Sequence, residues 1–314
     1  MILNILFDAH CDTLQKICDT HKALCKNDLH LDLVRLKNRK RDSVQVFAAF
    51  VDKENDKLQP KERCVQLITR YFAECEQNAD LITHCNSVDE IYSALAKRKV
   101  AGLLSIEGGE ALEGNIQNLE LFYKMGVRII TLCWNYRNEI ADGVLEPDGA
   151  GLSSFGKTVV EEMNRLGLLI DVSHLSEKSF WDVMEHSKMP VAATHSNARQ
   201  LRNHPRNLND AQIKAIIEKD GCIGINIYPE FVLGKTCKVC DIIRHIEYIM
   251  ALGGENNIGI GSDLDGIETC PQNLNGAEDL EKLFDSLLQL GYSDETVSKL
   301  AGGNFLRLIG DVIG

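Results

Sequence analysis

The strongest constraint in this sequence is a repeated alternation. Eight short runs rich in β-branched and aliphatic residues fall at 2–7, 44–51, 100–106, 127–131, 168–172, 191–194, 222–227 and 258–262. Between them lie stretches of helical periodicity at 61–82, 88–99, 115–125, 155–166, 177–187, 210–219 and 240–252. Phe155, Val159, Val160, Met163 and Leu166 make the clearest stripe, an apolar face that one side of a helix turns to a core. Ser87, Asn209 and Ser293 stand where helices should open, and Gly126, Gly167 and Gly221 where they should close. Strand–helix repetition of this order predicts a parallel α/β sheet. With eight repeats the expected form is a (β/α)8 TIM-type barrel, one domain over 1–314, with residues 278–314 adding two or three helices that pack on it. An open doubly wound sheet is the main rival. The chain has neither G-x-G-x-x-G after its first strand nor G-x-x-x-x-G-K-[ST], so nucleotide-fold readings lose their usual support.

Composition narrows the function. A net charge of −12 argues against nucleic acid as a partner, because phosphate binding needs a basic face. The one basic run, Lys37-Asn38-Arg39-Lys40-Arg41, reads as a solvated loop. The apolar start carries no positive charge before its run and meets Asp8 within a few residues, so it reads as a buried strand and not as a signal peptide or spanning helix. No other stretch approaches the ~20 apolar residues a membrane helix needs. Eleven cysteines without a secretory signal point to reduced thiols and a cytoplasmic protein. Cys237 and Cys240 have the spacing of half a zinc site, but no second pair lies at a suitable distance.

In a parallel barrel, functional groups sit where strands end at the C-terminal face. The first strand ends in Asp8-Ala9-His10-Cys11-Asp12, and the run at 100–106 leads into Glu107-Gly108-Gly109-Glu110. The runs at 168–172 and 191–194 lead to His174 and His195, and the last strand ends in Ser262-Asp263-Leu264-Asp265-Gly266. His10 and Asp12, two apart in an extended chain, point the same way. Each of these alone reads as a core histidine, a helix cap or a surface carboxylate. Five strand ends carrying ligand-type residues together predict a metal site of mixed nitrogen and oxygen donors, of the kind zinc accepts. A glutamate's two oxygens can bridge two ions, which would share and acidify a water.

The segments D-A-H-C-D-T, S-I-E-G-G-E, the long block at 151–176, P-V-A-A-T-H-S-N-A-R, R-N-L-N-D, I-G-I-G-S-D-L-D-G and L-A-G-G-N-F-L-R resemble the membrane dipeptidase (renal dipeptidase) family of zinc peptidases. They run in family order from Asp8 to Arg307, nearly the whole chain. The resemblance implies a barrel with two Zn2+ ions, Mn2+ or Co2+ being able to share such ligands. It implies that His10 and Asp12 hold one ion, that Glu107 bridges both, and that His174 and His195 hold the second. It makes Asp263 the acid/base beside a metal-bridging hydroxide, and Arg206 the grip on the substrate's carboxylate or scissile carbonyl, a task suited to a bidentate guanidinium. Tyr228 and Gly266 fall where the family lines its pocket. The implied substrate is a small free dipeptide, often with a D-amino acid at its C-terminal position, and a homodimer accords with the family.

One position departs from that pattern. Mammalian members carry a histidine after T-L-T, where this chain has Trp134. Indole donates one hydrogen bond and transfers no proton, so oxyanion stabilisation would fall on the metals and Arg206, or Trp134 would act as an apolar wall. The family's lipid-anchor signal and disulfide context are not found either, which accords with a soluble cytoplasmic enzyme. Two rivals stay open: a hydrolase of another small amide, lactam or ester on the same barrel, and a non-catalytic metal-binding protein. Retention of every implied ligand and of Asp263 counts against the second.

Overall fold

A computed structural model describes residues 4–52 and 56–314. The opening strand spans Ile5–Asp8. Ile2 and Leu3 of its expected span, and residues 53–55, lie outside the described residues.

The order of elements is β1 (Ile5–Asp8), α1 (Thr13–Thr20), α2 (Leu33–Lys37), β2 (Asp42–Phe50), α3 (Pro60–Gln77), β3 (Ile82–His84), α4 (Val88–Ala96) and β4 (Val100–Glu107). There follow α5 (Ile116–Lys124), β5 (Val127–Thr131), α6 (Ser154–Leu166), β6 (Leu169–Asp171), α7 (Glu177–His186), β7 (Ala192–Ala193), α8 (Asp210–Glu218) and β8 (Cys222–Ile225). The chain ends with α9 (Pro229–Val232), α10 (Val239–Ala251), β9 (Ile258–Ile260), α11 (Glu281–Gln289), α12 (Asp294–Ser298) and α13 (Asn304–Val312). Every strand pairing is parallel, and β1, β2, β4, β5, β6, β7, β8 and β9 close into a ring through β2–β4 and β1–β9 contacts. This is the expected (β/α)8 barrel with extra C-terminal helices.

Two details differ from the sequence reading. The helix expected over 61–82 stops at Gln77, and Ile82–His84 forms a ninth strand on the first residues of β4, below the point where β5 takes over that edge. Three residues are too few to show a period. The basic run is also not wholly solvated: Arg39 is buried, with Nε donating to the Ala277 carbonyl, and Arg41 pairs with Glu281.

Side-chain alternation sorts the barrel into two cores. Inward positions low in the barrel are apolar (Ile5, Phe7, Val44, Val46, Ala101, Leu103, Ile129, Leu169 and Ala192), and they pack with Phe305, Leu308 and Ile309 of α13. Phe7 stacks on Phe305 at 5.3 Å, and a Cβ at Gly259 would overlap the Phe305 ring. Outward positions such as Leu6, Phe47, Leu104, Ile106 and Ile130 meet the apolar stripes of the helices. Following the inward rows upward, the residues turn polar: Ser105 then Glu107, Thr131, Asp171, Thr194 and Asn226. The apolar floor therefore carries a polar upper layer on the same strands. Among the described residues no helix is long and apolar enough to cross a membrane.

Candidate metal centre and substrate cavity

Glu107, at the end of β4, is the hub of the upper layer. Its Oε1 lies 2.9 Å from His174 Nε2 and 3.5 Å from His195 Nε2, and its Oε2 lies 3.3 Å from His10 Nε2. His10 Nε2 is also 3.5 Å from Asp12 Oδ2 and 3.9 Å from Asp263 Oδ1. All six side chains foreseen at the strand ends thus meet in one place. Two subsets, His10–Glu107–His195 and His10–Asp12–Asp263, have donor atoms within 4.8 Å of one another.

The neighbours of these groups set their protonation. His174 Nδ1 lies 2.9 Å from Asn135 Oδ1, an acceptor, so that nitrogen carries the proton and Nε2 keeps its lone pair. Thr194 Oγ1 donates to Asp171 Oδ2 at 2.6 Å and therefore accepts from His195 Nδ1 at 2.8 Å. Asp171 takes further hydrogen bonds from Thr131 Oγ1, Ser173 N and Thr194 N. Burial works to raise the Asp171 carboxyl, but the electrostatic pull of His195 and the hydrogen bonds from Thr194 and Thr131 outweigh it and hold it below the usual range. The His174 ring is pulled down to about 4, by burial first and then by the Arg206 charge, so it is neutral near pH 7.

These features fit metal ions. His10 Nε2 and Asp12 Oδ1 are buried without a hydrogen-bond partner, which is costly unless a cation sits between them. The donor set is imidazole nitrogen and carboxylate oxygen, suited to zinc and its divalent neighbours.

Asp263 occupies the mouth of this layer with φ 62°, and His174 and Asp265 share such left-handed backbone at 67° and 69°. Strained non-glycine backbone clusters where side chains must be aimed. Asp263 Oδ2 accepts from Asn226 Nδ2 at 2.8 Å, leaving Oδ1 toward His10. Burial raises its carboxyl above the usual range, and Glu107 adds to that while His10 opposes it. Gly266 contributes by lacking a side chain, since a Cβ there would overlap Asp12 Oδ2 and Asp263 Oδ1.

Above the cluster opens a cavity of about 220 Å³, lined among others by Asp12, Glu107, Trp134, His174, Arg206, Tyr228, Asp263 and Gly266. Every residue expected to touch substrate therefore faces it. Arg206 is buried, with Nη2 donating to the His195 carbonyl at 3.3 Å and its guanidinium 5.6 Å above the Phe231 ring. The Tyr228 hydroxyl is pushed up to about 12 by burial and by its hydrogen bond to Glu268, so it stays protonated. Trp134 meets Phe50 edge-on at 5.3 Å and lies 6.1 Å from the His174 ring, an apolar wall.

Sequence reading missed the residues behind the site: Asp8, Asn135, Asp171, Thr194 and Asn226. Their signal was positional. Asp8, Asp171 and Thr194 lie within a few residues of the expected ligands on strand ends, and Asp171 and Asn226 are polar residues in otherwise apolar runs. The Cys237–Cys240 pair joins no metal-type cluster among the described residues, and all eleven cysteines are free thiols.

A family model described as membrane dipeptidase (peptidase family M19) matches residues 2–313. An uncharacterized protein in the pqqA 5′ region of Klebsiella pneumoniae is 36% identical over 239 residues, 73% of this chain and 88% of that protein. The dipeptidase aclJ of Aspergillus oryzae is 33% identical over 240 residues, 74% of this chain but 57% of its own length. Among solved structures, the dipeptidase AC, a metallopeptidase, superposes with a TM-score of 0.91 at 27% identity over 100% of both chains. A metallopeptidase from Rhodobacter sphaeroides, solved with a phosphinate mimic of L-Ala-D-Ala, gives 0.90 at 25% identity over 98% of this chain and 99% of that one.

Proposed function

The chain belongs to the membrane dipeptidase family, peptidase family M19, and on that premise we propose that it hydrolyses free dipeptides, L-Xaa-D-Xaa among them, at a centre of two divalent ions, zinc foremost. As a member it is a metallopeptidase, a hydrolase acting on peptide bonds. The observation that carries the proposal is the meeting of His10, Asp12, His174 and His195 around the two oxygens of Glu107, with His10 Nε2 and Asp12 Oδ1 unpartnered. His10 and Asp12 would hold one ion, His174 and His195 the other, and Glu107 would join both. When bound, such ions supply an acidified water as nucleophile and polarise the scissile carbonyl.

The rest follows from the side chains. Asp263 has one oxygen fixed by Asn226 and the other free toward the cluster, so it is placed to take the water's proton and pass it to the leaving amine. Burial has already moved its carboxyl toward the range in which it can both accept and release a proton. Arg206 offers a fixed cation at the cavity wall for the substrate's carboxylate. Tyr228 stands beside it as a neutral wall residue, and Gly266 lets both carboxylates stand close. Trp134 and Phe50 form an apolar wall that excludes water from one side. The bound L-Ala-D-Ala mimic in the Rhodobacter sphaeroides relative supports acceptance of a D-residue.

Hydrolysis of a panel of L-Xaa-L-Xaa and L-Xaa-D-Xaa dipeptides, before and after chelation and with zinc restored, tests this reading. Zinc-restored cleavage is expected. Tight zinc binding with no cleavage of any dipeptide would overturn the substrate and point to another amide or lactam.

A further inference from the structure

Sharing His174 and Arg206 with the wall of the substrate cavity, a second small cavity lies beside it. It is lined by Val172, His174, Ser196, Arg206, Asn207 and Gln212 with their neighbours, and has about 10 Å³ of room for the centre of a water molecule. Three of those lining residues each carry a buried polar atom without a partner: Ser196 Oγ, Arg206 Nε and Asn207 Oδ1. Other polar groups on two of these side chains are already bonded. Arg206 Nη2 donates to His195 O, and Asn207 Nδ2 donates to Arg202 O and Phe231 O.

A buried polar atom left unpaired is costly, and more so when charged. Three such atoms on residues that line one small space make a pattern that structural waters resolve, since each holds about three hydrogen bonds to otherwise unsatisfied groups and needs room for about one probe sphere. The chemistry of the three is complementary to a single water. Arg206 Nε–H donates to it, Asn207 Oδ1 accepts from it, and the Ser196 hydroxyl can do either. An anion does not suit, because Asn207 Oδ1 would face it, and a cation does not suit beside the guanidinium.

We infer that this cavity binds one structural water, and that Ser196 positions Arg206 through it. Arg206 is then held on two sides, by the His195 carbonyl at Nη2 and by the water at Nε, so its remaining donors are presented to substrate in one orientation. Ser196 follows the expected ligand His195 directly, so one loop fixes a metal ligand and the substrate-binding cation together. The positioning role rests on the proposal that Arg206 grips the substrate's carboxylate; the water site does not.

Two measurements decide it. A crystal structure at a resolution that shows ordered solvent is expected to hold a water within hydrogen-bond distance of Ser196 Oγ, Arg206 Nε and Asn207 Oδ1. A collapsed cavity, or direct bonds among the three atoms, would overturn the inference whatever the enzyme hydrolyses. In the metal-loaded enzyme, Ser196→Val fills the cavity, and KM for a dipeptide with a free C-terminal carboxylate should rise about tenfold with kcat little changed. KM for the matching dipeptide amide should stay put. Ser196→Ala, the milder variant should Val impair folding, leaves the water two partners and should give a smaller rise of the same kind. Equal rises for acid and amide would overturn the positioning role. Failure to cleave any dipeptide would count against the proposed function and leave the crystallographic test standing.

Discussion

His174 and His195 present their Nε2 atoms to each other across 2.8 Å. Each ring's other nitrogen is committed, to Asn135 in one case and Thr194 in the other, so both facing nitrogens carry lone pairs. Two lone pairs do not approach so closely without a proton or a cation near both. Burial and Arg206 disfavour the proton on His174. The pair accords with the proposed ligation of one metal ion by both rings, which would depend on Thr194 as well as on the rings. Replacing Thr194 by the isosteric valine removes the acceptor for His195 Nδ1 and frees that ring to turn. Metal affinity should fall about 10–100-fold with the fold intact. Competition with a chelating dye, read beside circular dichroism, checks this; unchanged affinity would mean that Thr194 does not orient His195.

Asp263 is proposed to move protons and not to hold the site together. In Asp263→Asn the amide can still bond Asn226 but cannot accept the water's proton. Turnover should drop about 10²–10⁴-fold, while metal content measured by atomic absorption stays near that of the parent. Loss of metal with turnover kept would reverse the assignment.

At Gly266, Ala is expected to act at a distance of one atom. Its Cβ would overlap Asp12 Oδ2 and Asp263 Oδ1, so one carboxylate must shift. A displacement near 1 Å in such a site costs on the order of 100-fold in rate. The readout is kcat/KM beside thermal stability. A fully active Gly266→Ala enzyme would show that the loop after β9 yields without moving either carboxylate.

How much of this was legible beforehand depends on length scale. The barrel was readable because eight apolar runs and the helices between them each carry their own period, and because glycines and caps punctuate them. The residues proposed as ligands were readable as candidates because they fall one to five residues past those runs, where a parallel barrel gathers its functional groups. β3 was not, since three residues show no period and their neighbour α3 ran toward them without a strong stop. Asn135, Asp171, Thr194 and Asn226 were not, because an asparagine or threonine at a strand end has many uses, and only distances show that these four steer a ligand or Asp263. The burial of Arg39 was hidden for a similar reason: a basic run describes its average exposure and not the one side chain that turns inward.

His245 gives the fold a pH dependence whose sign follows from its partners. Its Nδ1 accepts from Ala198 N at 3.1 Å, and its Nε2 lies 3.0 Å from the Val232 carbonyl, so the folded ring is neutral, protonated on Nε2 alone. Through these bonds it ties the loop after His195 to α9, which carries Phe231 under Arg206. Burial lowers its pKa below the ordinary value, against the opposing effects of the Val232 carbonyl and Asp241. The unfolded chain, titrating near 6.5, then binds more protons than the folded one as pH falls. This contribution is fully present above the unfolded value and is lost as pH drops from there through the folded value. Glutamine at 245 cannot titrate, so it supplies the reference. The stability of the parent minus that of His245→Gln, from urea unfolding, should shrink between pH 7.5 and pH 5. A difference that grew on acidification would mean that the folded ring takes up a proton, and that the Ala198 bond is not what holds the loop.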